Sequence, residues 1–93
     1  MATSNELMIH HKVGLHARPA EMFVKTAAGF SARITIENLT SATQPVNARS
    51  ILGLLSAGVK MSDRIRITAE GADEAAAVSA LSELVTSNFG ETA

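Results

Sequence analysis

Ala32-Arg33-Ile34-Thr35-Ile36-Glu37 alternates apolar and polar side chains without a break. Successive side chains on a strand point to opposite faces, so this stretch predicts a half-buried strand with Ala32, Ile34 and Ile36 inward. Asp63 to Ala69 repeats the pattern, setting Ile65, Ile67 and Ala69 against Arg64, Arg66 and Thr68, and Glu70-Gly71 comes next as a turn. Two strands that each have an apolar face need a cover for it. Upstream, Ala20, Phe23, Val24 and Ala27 recur at i, i+3, i+4 and i+7, which predicts a helix ending near Ala28 with Gly29 as its cap. Downstream, Asp73 is placed to cap a long helix whose apolar stripe is Ala77, Val78, Leu81, Leu84 and Val85, closed by Gly90.

The remaining segments complete the set. Glu6 to His11 reads as a first strand with Leu7 and Ile9 on one face, although two neighbouring His and a Met blur the alternation. Asn38 to Thr43 is a polar loop, and Pro45 confines the residues after it to a short or edge strand. Ser50 to Ala57, with Ile51, Leu52, Leu54 and Leu55, predicts a short helix stopped by Gly58. The order is βαββαβα, an α+β layer in which helices cover one face of a single sheet. With 93 residues, 46% of them hydrophobic, the chain is expected to form one domain over residues 1–93 around one modest core.

Composition narrows the chemistry. There is no Cys, hence no thiolate nucleophile, disulfide or thiolate zinc site, which fits a reducing cytoplasm. The N-terminal stretch lacks a basic segment followed by an apolar run, and no stretch is apolar for the roughly 20 residues a bilayer requires. A formal charge of -1, with three Phe and neither Trp nor Tyr, disfavours nucleic acid as a partner. His10 and His11 invite a metal reading, but neighbours on a strand face opposite ways and no paired carboxylate joins them, so no metal or other cofactor is expected.

Gly14-Leu15-His16-Ala17-Arg18-Pro19-Ala20 bridges the first strand and first helix. A helix N-terminus presents unpaired N–H groups and partial positive charge, a natural seat for an anion. Pro19 suits a first turn yet pushes Arg18 from helical geometry, so the helix start is open between Ala17 and Pro19. His16 lies beside those donors, and Arg18 can add a charge-assisted fork. Imidazole is substantially neutral near pH 7 and can accept a phosphoryl group without a separate base. By itself, a lone His before a helix is more often a surface or capping residue.

The segment 14–20 resembles the active-site segment of the histidine-containing phosphocarrier (HPr) family of the sugar phosphotransferase system. Ala48-Arg49-Ser50-Ile51-Leu52-Gly53 resembles that family's regulatory serine segment, and Ala69-Glu70-Gly71-Ala72-Asp73-Glu74 its last turn and helix start. The resemblance runs from about Glu6 to Phe89. It implies an open-faced β-sandwich, a four-stranded antiparallel sheet with three helices on one side. It also implies a stoichiometric carrier rather than an enzyme. Enzyme I, charged by phosphoenolpyruvate, would phosphorylate His16 on Nδ1, and the group would pass to an enzyme IIA domain of a sugar permease. Arg18 would stabilise the phosphate, and the N–H groups of Ala17 and Arg18 would cradle it. Ser50 would be the target of a serine kinase, or equally a plain helix cap. Ile51 and Leu52 would pack against partners, with Leu55 a further apolar position of the same helix and Lys25, Arg49 and Lys60 at the rim.

Three departures from the family stand out. The loop Asn38 to Gln44 is about three residues longer than the family's turn, and Pro45 falls where a strand residue is expected. Arg49 replaces the usual Lys, which keeps the charge but changes donor geometry for a kinase. Two rival readings are a regulatory paralogue controlling nitrogen or carbon use and a small phosphate-ester hydrolase, which would need a second polar group to position water. A carrier that shows one face to successive partners is expected to be a monomer.

Overall fold

A computed structural model describes residues 2–91. The strands are β1 (Ala2–Met8), β2 (Arg33–Asn38), β3 (Val46–Asn47) and β4 (Arg64–Glu70). They form one sheet in the order β1-β4-β2-β3, every pairing antiparallel. Helices α1 (Ala17–Ala28), α2 (Ile51–Ser56) and α3 (Glu74–Thr86) complete the expected open-faced arrangement. Ile34, Ile36, Ile65, Ile67 and Ala69 form the buried floor of the core, and Phe23, Leu54, Leu81 and Val85 meet them from the helices. On the polar side, Arg66 bridges Glu6 at 3.0 Å and Glu37 at 3.4 Å. The Arg66 guanidinium lowers the pKa of Glu6.

The first strand lies earlier than the expected Glu6 to His11. It starts at Ala2 because β4 templates seven partners, from Ala2 opposite Glu70 to Met8 opposite Arg64. Its inner face is partly polar, which hides the alternation. Thr3 donates to Glu74 at 2.6 Å and Asn5 to Ser82 at 3.0 Å, so the covering helix supplies the partners an apolar face would not need. His10 and His11 fall beyond the strand, in the turn before His16. β2 and β4 each begin and end one residue later than expected, and the edge strand after Pro45 is two residues long.

The last helix differs at both ends. Asp73 occupies its N-cap position, but its carboxylate accepts from the N–H groups of Ser31 and Ala32, both at 2.8 Å, instead of capping the helix. The N–H of Ser31 is the main cause of the lowered pKa of Asp73. The helix stops at Thr86 rather than near Gly90. Asn88 and Phe89 then adopt left-handed backbone, φ 56° and 57°, and this turn drives the Phe89 ring into the core.

One buried polar junction joins two loops. Asn38, with no exposed surface, donates to the carbonyl of Ala57 at 3.1 Å and to the Asp63 carboxylate at 3.0 Å. Its side-chain oxygen accepts from Thr40 and Ser41, which folds the long loop back on itself. The N–H of Lys60 donates to Asp63 at 2.9 Å and is the main cause of that carboxyl's lowered pKa, with Asn38 assisting. A carboxyl with a lower pKa folded than unfolded contributes stability that is complete above the ordinary aspartate value of about 4. That contribution is lost as pH falls through the folded value. Asp63→Asn is therefore expected to cost about 1–3 kcal/mol at pH 7. It should also flatten the acid limb of the stability curve in urea titrations from pH 7 to pH 3, and an unchanged acid limb would contradict this account.

Candidate functional site

The site begins with a close approach of two loops. Gly14 has φ +66°, and a Cβ there would lie 2.2 Å from the carbonyl oxygen of Val59 and 2.8 Å from the Cα of Lys60. Only glycine fits both the conformation and the space. The next N–H, that of Leu15, donates to the Val59 carbonyl at 3.1 Å, and the Leu15 side chain is buried. Anchored there, the chain brings His16 out to the surface at the N-cap of α1 in extended backbone.

His16 makes no side-chain capping bond to the helix. The N–H groups of Ala17 and Arg18 lie at the helix start, where no preceding turn supplies acceptors. The first turn contains no acidic residue to compete for them. Ala17 holds φ 52°, a left-handed conformation that costs a non-glycine residue about 1–3 kcal/mol. Pro19 and Ala20 are buried and pin the turn from below. The helix thus starts at Ala17, within the range left open by Pro19. Arg18 is exposed and has no hydrogen bond or ion pair among the described residues.

Two open hollows lie on this side of α1, and His16 lines one of them. One, of about 360 Å³, is lined by His16, Ala17, Ala20, Glu21, Ile51 and Leu55. The other, of about 620 Å³, lies along α1 and shares Glu21 and Ile51 with the first, adding Arg18, Met22 and Lys25. Ile51, Leu52 and Leu55 stand exposed beside them, Leu52 at 80%. Glu21, which no motif of the sequence marks, belongs to both hollows. Its only sequence signal is its place three residues after Arg18 on the same helix face.

Among the other expected site residues, Ser50 is the N-cap of α2, its Oγ accepting from the N–H of Gly53 at 3.0 Å. Arg49 turns its guanidinium onto main-chain carbonyls, donating to Ala27 at 3.3 Å, to Ala32 at 2.7 Å and to Phe30. This fork ties the end of α1 to the start of β2. Lys25 is exposed in the last turn of α1, and Lys60 is exposed beside the Gly14 contact. His10 is exposed, whereas His11 is buried against the chain's C-terminal segment. Among the described residues, neither joins two further ligating side chains.

A family model, the PTS HPr component phosphorylation site, matches residues 3–87. The chain belongs to the HPr family. HPr-C-His from Thermoanaerobacter tengcongensis superposes with a TM-score of 0.92 at 43% identity, covering 98% of this chain and 99% of that one. An HPr solved as a dimer from the same organism is 46% identical, with a TM-score of 0.75 over 91% of this chain and 94% of that one. The multiphosphoryl transfer protein of Escherichia coli O157:H7 is 39% identical over 90 residues, which are 97% of this chain but 24% of that protein. The chain thus spans about a quarter of the length of such curated relatives. That family is the HPr phosphocarrier family of the phosphotransferase system. No helix among the described residues is long and apolar enough to cross a membrane.

Gly14→Ala tests the loop contact. It should lower stability by about 1–3 kcal/mol, the cost of a strained backbone position. Amide shift changes should concentrate at residues 13–17 and 58–61, and a variant as stable as the parent would show that the close approach is not required.

Proposed function

We propose that His16 carries the phosphoryl group, taking it from phosphorylated enzyme I and passing it to an enzyme IIA domain. One observation carries this reading: an exposed imidazole at a helix start whose N–H groups and neighbouring Arg18 have no anion among the described residues. In the first transfer the lone pair of His16 Nδ1 attacks phosphorus as the bond from phosphorus to the donor's nitrogen breaks, and in the second the acceptor's nucleophile attacks as the bond from phosphorus to His16 Nδ1 breaks. The donor imidazole regains its lone pair and nothing is oxidised or reduced. The N–H groups of Ala17 and Arg18 and the guanidinium hold the oxygens as charge shifts between the two nitrogens. Because the cradle is open, the group stays accessible to the next acceptor. The reading makes the chain a stoichiometric carrier rather than an enzyme, working in the cytoplasm as one domain.

Docking is assigned to the exposed apolar surface of Ile51, Leu52 and Leu55, with Lys25 at its rim. Arg49 lies near this surface but holds α1 to β2, so its effect on partners is exerted through the shape of that junction. For Ser50 the capping bond favours a structural role. A phosphate there would add about two negative charges beside Ile51 and Leu52 and oppose docking by an acidic partner. The active species is taken to be a monomer, because both hollows and the apolar surface must be open to successive partners.

Incubation with enzyme I and phosphoenolpyruvate, read by intact mass, should add one acid-labile phosphate, and His16→Ala should add none. Arg18→Ala should still be phosphorylated, with kcat/KM down by about tenfold or more, the scale of losing one charge-assisted contact in the transition state. A phosphate that survives on His16→Ala would overturn the assignment.

A further inference from the structure

His11, buried and five residues before His16, uses both ring nitrogens. Nε2 lies 3.0 Å from the carboxylate of Glu91, and Nδ1 accepts the N–H of Val13 at 3.2 Å. A nitrogen that accepts an N–H must have a free lone pair, so the hydrogen of the neutral ring sits on Nε2, facing the carboxylate. The ring stands edge-on to Phe89 with centroids 5.9 Å apart, and the carbonyl of His11 accepts the N–H of Gly14 at 2.9 Å. One residue thus closes the turn 11–14 twice, through its ring and through its backbone. That turn leads directly into Gly14 and Leu15, whose contacts with Val59 aim His16. Glu91 in turn is fixed by the left-handed turn at Asn88 and Phe89, where the Asn88 amide donates to the Glu91 carbonyl at 3.3 Å.

We propose that His11, oriented by Glu91, is a positioning residue for phosphoryl transfer, holding the turn 11–14 in the form that presents His16. The carboxylate selects the tautomer, the bare Nδ1 holds Val13, and the closed turn delivers Gly14 against Val59 and Lys60, where there is no room for a side chain. The inference rests on the carrier reading of His16. It places the effect on the chemical step, because His11 lies outside both hollows and the apolar surface assigned to docking.

The test is steady-state phosphorylation of the full chain by enzyme I and phosphoenolpyruvate. His11→Ala is expected to lower kcat by roughly tenfold or more while KM changes little, as misplacement of a reacting group does. His11→Asn, whose Oδ1 can accept the Val13 N–H where Nδ1 did, should recover most of kcat. Glu91→Ala, at the surface and outside the core, should lower kcat by a few-fold in a chain that remains folded, so the proposal stays testable if His11→Ala does not fold. Folding of each variant is checked by amide spectra, in which Val13 and Gly14 should move. Parental kcat and KM in both alanine variants would overturn the proposal, as would an equal loss in His11→Asn. If the unaltered chain takes no phosphate, the carrier reading fails, and this proposal fails with it. If the unaltered chain is phosphorylated and the variants match it, only this proposal fails.

Discussion

The turn from Val59 to Asp63 is the support on which the His16 end of the molecule rests. Its backbone receives the end of the first strand, with the Ile9 N–H on the Asp63 carbonyl at 2.9 Å and the Ser62 N–H on the Ile9 carbonyl at 2.7 Å. It receives the start of the site through the Leu15 N–H on Val59. It also comes directly after the end of α2, which carries the exposed apolar residues. A hydrophobic core cannot set such a junction to within an ångström, because apolar contacts have no direction. Hydrogen bonds do, and here they converge on the carboxylate of Asp63 and the amide of Asn38. Burying that pair is tolerable because the donors and acceptors around it are matched. Leaving one unmatched would cost about as much as several surface interactions contribute.

The division of labour is therefore clear. The sheet and α3 supply cohesion through Ile34, Ile36, Ile65, Ile67 and Leu81, all nearly without exposure. The loops supply placement. Between them stand a few polar anchors that join elements distant in sequence: Asp73 to the start of β2, Arg49 to the end of α1, and His11 to the C-terminal turn. Each anchor binds main chain or a single partner, so it fixes position while adding little to the apolar core.

This division also explains which features could be read from the chain alone. β2 and β4 were legible to within one residue because one face of each is apolar and the other wet. The first helix was legible because Phe23 and Ala27 recur on its buried side. The true extent of β1 was not, because Thr3 and Asn5 reach polar partners on α3 that lie more than seventy positions away. The same remoteness hid the use of Asp73 and the end of α3, since a local cap rule cannot foresee a carboxylate diverted to Ser31 or a left-handed Phe89 whose ring is buried in the core. At the candidate site, the placement of His16 and Arg18 at a helix start was legible from a single segment. The place of Glu21 in both hollows and the contacts of His11 were not, because each depends on neighbours brought together only by the fold.

On the carrier reading, the resting chain must not satisfy its own anion site. A capping side chain at His16 or an acidic residue in the first turn of α1 would stabilise the free protein and oppose the phosphate by the same interaction. The site has neither, and it keeps Ala17 in a backbone conformation that ordinary helices avoid. Such local costs, about 1–3 kcal/mol for the backbone alone, persist only where the surroundings over-determine the conformation. Here Gly14 and Leu15 are fixed on Val59 from one side while Pro19 and Ala20 are buried on the other. The rigidity around His16 and the unmatched groups at its tip are thus two sides of one arrangement. On that reading the supports would hold the donors in place before any anion arrives, so their alignment would not have to be assembled during transfer.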